Sequence, residues 1–314
     1  MSKKRKILVT GISGQDGKIL INRLQANEDW ELIGLTHNIR RAKDITADAC
    51  QLEFWDFKKA EVIEKIIKKH KPALLVNLAS FATGIGMFDN TAELSMVNGL
   101  AVVHLLEAIK KRSADTRFIQ AGSSEMFGDT ALSPQSEETE MIPRTPYGAA
   151  KLFGHNMVKI YRTRYGLHAT NLIFYNHESI HRTASFVTQK IVKGAVAIKR
   201  GQSKSLELYD LNSARDWSYA PDFIEGIFLV AEQNMPSDYI FASGNLTTVR
   251  QLCKIIFGYL ELDYKKYVIE TNPQSVADNN LLGNPRKIEA LGFKRSKDLK
   301  EMLIEMVENE LKIL

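Results

Sequence analysis

The chain has 314 residues, of which 42 are lysine or arginine and 37 aspartate or glutamate, giving a formal charge of +5 with 44% hydrophobic residues. That length buries a substantial core, as one large domain or two unequal ones, and needs neither disulfide nor metal staples. The small positive excess reads as a solvated surface with a weak bias toward anionic ligands, and aromatics do not interleave with the basic residues, so no nucleic-acid partner is expected.

The opening MSKKRK followed by ILVTGI has the charged start of a signal peptide, but the apolar run is too short and passes straight into a glycine loop. It reads as a first strand. The segment Thr10-Gly11-Ile12-Ser13-Gly14-Gln15-Asp16-Gly17 then opens a helix. Glycines at such a turn let the backbone approach a pyrophosphate, whose charge the helix N-terminus favours. Gly11, Gly14, Gln15, Asp16 and Gly17 are therefore candidate cofactor residues of a dinucleotide site. The next run, ELIGLT, ends in Leu35-Thr36-His37-Asn38, with neither an acid for a ribose 2′-hydroxyl nor an arginine for a 2′-phosphate. Arg40 and Arg41 follow, either reaching a phosphate or forming a solvated basic pair, so NAD and NADP both stay open. Asp56, in FWDF, is placed to accept a bond from an adenine amine or to cap the following helix.

ALLVNLA, TRFIQAG and HATNLIF then alternate with AEVIEKIIKKH and TAELSMVNGLAVVHLLEAIKKR. Continuously apolar strands, each followed by a helix-period segment, predict an α/β fold: a Rossmann-type doubly wound parallel sheet with ligands at the carboxyl ends of its strands. Residues 1–174 are expected to form the NAD(P)-binding domain. Residues 175–314, where the alternation becomes irregular, are expected to form mainly a smaller substrate-binding lobe, with some segments returning to the first domain. No apolar run approaches the length of a membrane span, so a cytoplasmic chain without a membrane partner is expected. Cys50 and Cys253 have no metal-ligand spacing and read as unbridged thiols in a reducing compartment.

Within PYGAAKLFGHNMVKIYR, Tyr147 and Lys151 stand four apart in a helix-like stretch, so both side chains share one face about a turn apart. A phenol is a poor base at neutral pH, and a neighbouring ammonium stabilises the phenolate. Tyr147 is thus suited to accept the proton of an alcohol while a hydride leaves the same carbon. Ser123-Ser124-Glu125 lies shortly upstream and supplies hydroxyls and a carboxylate.

Taken in order, Gly11-x-x-Gly14-Gln15-Asp16-Gly17, Asn77-Leu78-Ala79, Leu105-Leu106-Glu107-Ala108-Ile109, Ser123-Ser124-Glu125-x-x-Gly128, Pro146-Tyr147-x-x-x-Lys151, Asn176-His177-Glu178-Ser179, Phe186-Val187-Thr188-x-Lys190 and Arg215-Asp216-Trp217 resemble the GDP-mannose 4,6-dehydratase family. These are extended short-chain dehydrogenase/reductases acting on nucleotide sugars. The likeness runs from Lys6 to near Leu291, with Asn176-His177-Glu178-Ser179 its most specific element. It implies that Tyr147 removes the O4 proton while hydride leaves C4, that Lys151 tunes the tyrosine and holds the nicotinamide ribose, and that Ser123, usually threonine in the family, bonds the C4 oxygen. The ketone then acidifies the C5 proton, Glu125 removes it, hydroxide leaves C6, and hydride returns there. Asn77 and Ala79 join the cofactor set. Ser124, Asn176 and Arg182 join the substrate set, Val187 and Lys190 would lie near the base, and Arg215 would meet a phosphate, its rival being an internal pairing with Asp216 or another acid. A GDP-linked substrate and a homodimer or homotetramer are likewise implied.

The chain departs from the family around the sugar. Phe81-Ala82-Thr83 stands where Gln-Ser-His is usual, Met87 where a serine is, and Gln274-Ser275-Val276-Ala277-Asp278 where an Arg-Pro-x-Glu-Val segment is. Loss of groups that bond sugar hydroxyls changes substrate preference. A mannose-type hexose and a heptose both stay open, as do a 4,6-dehydratase, a 4-dehydrogenase that stops at the 4-keto sugar and a 4-epimerase. A non-catalytic dinucleotide-binding protein on the same fold is disfavoured by the presence of both Tyr147 and Lys151.

Overall fold

The computed structural model describes residues 4–25, 29–46, 49–81, 88, 90–273 and 281–313. The chain alternates β1 (Arg5–Thr10), α1 (Gln15–Gln25), β2 (Trp30–Thr36), α2 (Ile39–Thr46), β3 (Gln51–Phe54), α3 (Ala60–His70) and β4 (Leu74–Asn77). Then α4 (Thr91–Ser95) passes through a π-helical turn, Met96–Leu100, into α5 (Ala101–Arg112), followed by β5 (Arg117–Ala121), a 3-10 turn at Ser124–Met126, α6 (Pro146–Tyr165) and β6 (Ala169–Phe174). The remaining elements are β7 (Asn176–Glu178), α7 (Val187–Lys199), β8 (Leu206–Leu208), β9 (Ala214–Tyr219), α8 (Ala220–Ala231), β10 (Asp238–Phe241), β11 (Leu246–Thr248), α9 (Val249–Tyr259), α10 (Tyr264–Tyr267), β12 (Val268–Glu270), α11 (Arg286–Glu289) and α12 (Leu299–Lys312).

Seven strands form one parallel sheet in the order β10-β6-β5-β4-β1-β2-β3. Its central strands are largely apolar because both faces are covered, and the polar residues Thr10, Asn77 and Gln120 sit toward their carboxyl ends. Ile7, Val9, Leu74 and Val76 turn to one side with residues of α1 and α8, while Leu8, Leu75 and Phe118 turn to the other with residues of α3 and α5. The order reverses at β1, which pairs with β2 on one side and β4 on the other. Such a switch point opens a crevice at the carboxyl ends of the strands.

β10 arrives from far along the chain to pair with β6, and Asp238 at its start bonds Arg162 at 2.5 Å and Asn171 at 3.0 Å. A three-stranded sheet, β11-β9-β7, and a two-stranded one, β12-β8, lie outside the large sheet. Trp217 of β9 packs with apolar residues of α7, α9 and α12 in a further core cluster. Cys253 is buried there, and burial pushes its thiol up to about 12. It is therefore unreactive at neutral pH.

One expectation is corrected. The continuous helix Thr91–Arg112, 22 residues, is long and apolar enough to cross a bilayer by length and composition. Here its apolar stretch is half buried, with Val102, Leu105, Leu106 and Ile109 in the core between the sheet, α3 and α6.

Candidate active site

The floor of the crevice is a buried ladder of side chains. Thr10 at the end of β1 donates to Asn77 at the end of β4, Asn77 donates to Gln120 of β5 at 2.7 Å, and Gln120 donates to the carbonyl of Ala121. Thr10 also accepts the backbone N–H of Ala79 at 2.9 Å. Above this floor Gly11 adopts φ +70, and a Cβ there would lie 2.8 Å from the backbone nitrogen of Ala79. Only glycine allows this close turn. Gly14 faces the crevice at the N-terminus of α1, whereas a Cβ on Gly17 would lie 2.3 Å from the carbonyl of Ile12, so Gly17 serves to seat the helix on the turn.

Two adjoining cavities, of about 430 and 340 Å³, share Gly11, Gly14, Leu78 and Ser80 and so form one groove across the switch point. The first extends under Thr36, His37, Asp56 and Phe57. Asp56 does not occupy the N-cap of α3, which is Lys59; it accepts from the backbone N–H of Lys58 in the preceding turn while lining the groove.

The second cavity holds Ser123, Ser124, Glu125, Tyr147 and Lys151. Ser123 caps the 3-10 turn by accepting from the N–H of Glu125, which fixes the direction of its own side chain. Thr145 caps α6 by accepting from Gly148 N–H, and Pro146 suits the first turn, so Tyr147 is held at the mouth of the helix. Lys151, 3% exposed, donates to the carbonyl of Ala121 at 2.9 Å and places its ammonium 5.8 Å from the centre of the Tyr147 ring. A Cβ on Gly148 would lie 2.4 Å from the carbonyl of Glu125. That missing side chain lets the helix bearing the phenol rest on the turn bearing the carboxylate.

The opposite wall is β7. Asn176 and His177 line the cavity with Phe174, Tyr175, Arg182 and Phe186. His177 bonds Asp16 at 3.1 Å, Gln15 donates to the His177 carbonyl at 3.0 Å, and Ser179 donates to Gln15 at 2.9 Å. Burial alone would raise Asp16, but the charge and hydrogen bond of His177, with Arg182, hold it below the ordinary carboxylate value. Burial likewise opposes the charged form of His177, and Asp16 overcomes it, raising the imidazole. The first turn of α1 is thus clamped to β7. Arg182 lies 3.0 Å from the buried Glu178 and stacks over Phe186, with Thr188 donating to Glu178 at 2.6 Å.

Arg215 stands beside this cavity rather than on its wall. Burial pulls its guanidinium down, a pull opposed by Glu125 and reinforced by Arg144. Asp216 points elsewhere, accepting from Ser243, Gly244 and Gly283.

Several expected residues do not meet the groove. Asn77 is spent in the ladder, Gly17 in packing, and Arg40 is exposed on α2. Val187 and Lys190 sit on α7 outside both cavities. Ala82, Thr83, Met87 and Gln274–Asp278 lie outside the described residues. Sequence reading gave no role to Ser80, Phe174, His177, Phe186 or Arg144; His177 and Phe186 carried a signal, through their places in the Asn-His-Glu-Ser and Phe-Val-Thr-x-Lys segments.

The architecture is a Rossmann-type fold shared with solved enzymes of sugar nucleotides. UDP-glucose 4-epimerase of Thermus thermophilus, in complex with NAD, superposes with a TM-score of 0.86 at 19% identity, covering 98% of this chain and 100% of that one. dTDP-glucose 4,6-dehydratase of Bacillus anthracis, also with NAD, gives 0.84 at 21% identity over 98% and 97%. A family model for GDP-mannose 4,6 dehydratase matches residues 8–306. GDP-mannose 4,6 dehydratase 2 of Arabidopsis thaliana is 36% identical over 332 residues, covering 98% of this chain and 88% of that protein. The chain belongs to the GDP-mannose 4,6-dehydratase family.

Proposed function

We propose that the chain is a nicotinamide-dependent nucleotide-sugar 4,6-dehydratase acting on a GDP-linked mannose-type hexose or heptose. The observation that carries this reading is the convergence of Ser123, Glu125, Tyr147 and Lys151 on one cavity that continues into the glycine groove. The groove fits a dinucleotide: a bare Gly14 faces it at a helix N-terminus, which favours a diphosphate. The one acid in that first turn, Asp16, is countered by His177.

A bound nicotinamide ring supplies the carbon that accepts and later returns a hydride. Tyr147 takes the O4 proton as C4 is oxidised, Lys151 stands beside its ring in a position fixed by the Ala121 carbonyl, and the Ser123 hydroxyl bonds O4. Glu125, held against α6 by the Gly148 contact, takes the C5 proton made acidic by the new ketone as hydroxide departs from C6 with the proton taken from O4, leaving as water. The C5 proton returns from Glu125 once hydride has been delivered to C6. Arg182 and Arg215 offer guanidinium groups for the diphosphate. NAD and NADP are both compatible with Thr36 and His37 at the far end of the groove.

A homodimer built on α6 is part of the same proposal. Phe153 and Ile160 are each 46% exposed on its outer face, near Leu100 of the π turn at 38%. Two copies would cover this stripe.

Incubation with GDP-mannose and with GDP-heptose, read by the mass of the nucleotide sugar, tests the assignment. Loss of water is expected. Loss of two hydrogens instead would assign a 4-dehydrogenase, an unchanged mass with inverted C4 an epimerase, and no reaction with either sugar would overturn the substrate.

A further inference from the structure

At the amino ends of the strands, on the side of the sheet opposite the crevice, a cavity of about 750 Å³ is lined by seven lysine and arginine side chains and two carboxylates. Helix termini explain part of this: Lys68 and Lys69 lie in the last turn of α3, where cations offset the macrodipole. Arg117 at the start of β5 likewise donates to the carbonyls of Ala231 and Gln233 at the end of α8, but helix termini do not explain Lys4 and Lys6 at the start of β1. Neighbouring acids account for Arg5, paired with Glu232 at 3.3 Å, Lys6 with Glu31 at 3.5 Å and Lys69 with Glu53 at 2.7 Å. Among the described residues, no ion pair engages Lys4, Lys68 or Lys71, all exposed. His70, 6% exposed, lines the same cavity with its Nδ1 buried and unpartnered, while its Nε2 is held by Glu53 at 2.7 Å.

The geometry points to a second anion site here, taking a soluble oligophosphate such as tripolyphosphate or the phosphate chain of a nucleoside triphosphate. Lys4, Lys68 and Lys71 outnumber Asp115, the lining carboxylate that no ion pair engages among the described residues, and cations in excess on a concavity of small-ligand size suit a compact multivalent anion better than a flat bilayer or a long polymer. The phosphate chain, not a base, is the recognised part, because the indole of Trp30, which lines the cavity, is already covered by Arg5 at 4.2 Å. This site is independent of the reaction proposed above.

Calorimetric titration of the full chain with inorganic tripolyphosphate tests it, in wild type, in a Lys4→Gln/Lys68→Gln/Lys71→Asn variant, and in a Lys204→Gln/Lys266→Gln/Lys300→Gln variant with the same loss of charge on distant exposed lysines. Asparagine is chosen at Lys71 because that residue has φ 44. The first variant should bind about tenfold or more weakly with an unchanged unfolding midpoint and unchanged turnover, and the second as wild type does. Equal binding by all three, or equal weakening in both variants, would overturn the site. Wild-type binding to phosphatidylserine vesicles without binding to tripolyphosphate would overturn the choice of ligand.

Discussion

Tyr147 can act only if its hydroxyl is a proton acceptor, and removing that oxygen leaves the packing of the ring in place. Tyr147→Phe should therefore lower the rate of C4 oxidation about 10²–10⁴-fold with little change in unfolding midpoint, measured as reduced nicotinamide in a single turnover. Normal turnover would remove the phenol from the mechanism. Glu125→Gln should leave C4 oxidation and block water loss, so a 4-keto sugar that retains its C6 oxygen is the expected product by mass. The Tyr147–Lys151 pair was legible in the sequence because both residues sit on one helix and a spacing of four sets their face. Asn77 entered the cofactor set through the family resemblance, whereas its amide bonds Thr10 and Gln120, partners 67 and 43 residues away. Such a competitor leaves no local mark.

Between elements, two contacts hold the site together. In Gly148→Ala the added carbon meets backbone at 2.4 Å, so α6 and the 123–125 turn must separate. A loss of about 1–3 kcal/mol in denaturant unfolding and a larger proportional loss in kcat are expected; an unchanged kcat would deny that this seat aligns Tyr147 with Glu125. The clamp between α1 and β7 depends on pH with a definite sign. His177 is raised, so its contribution is present below the ordinary imidazole value of 6.5 and lost as pH rises through the raised one. Asp16 is lowered, so its contribution is present above 3.8 and lost as pH falls through the lowered value. His177→Asn should cost about 1.5–3 kcal/mol near about pH 5.5, with the difference from wild type shrinking toward alkaline pH. A difference that grows with pH would contradict the ion pair. The glycine turn and the Asn-His-Glu-Ser segment were each visible in the sequence, but not their union, since Asp16 and His177 are 161 residues apart.

For the whole molecule, the alternation of apolar runs foretold the parallel sheet through β6, because strands buried on both faces are mostly apolar. It did not foretell which later segment completes the sheet: β10 is four residues long, too short to carry a periodic signal. Nor did it reveal the apolar stripe on α6. Phe153→Glu/Ile160→Glu should yield monomers in sedimentation at concentrations where the wild type dimerises, and a persistent dimer would place the interface elsewhere.

The late arrival of β10 bears on biosynthesis. While residues up to 174 have emerged from the ribosome but Asp238–Phe241 have not, β6 presents an open edge of unpaired N–H and carbonyl groups, and its second half, Leu172–Phe174, is apolar. Exposed edges of this kind recruit other chains. A fragment truncated at residue 174 should accumulate in inclusion bodies, and supplying the remainder as a separate polypeptide should return part of it to solution.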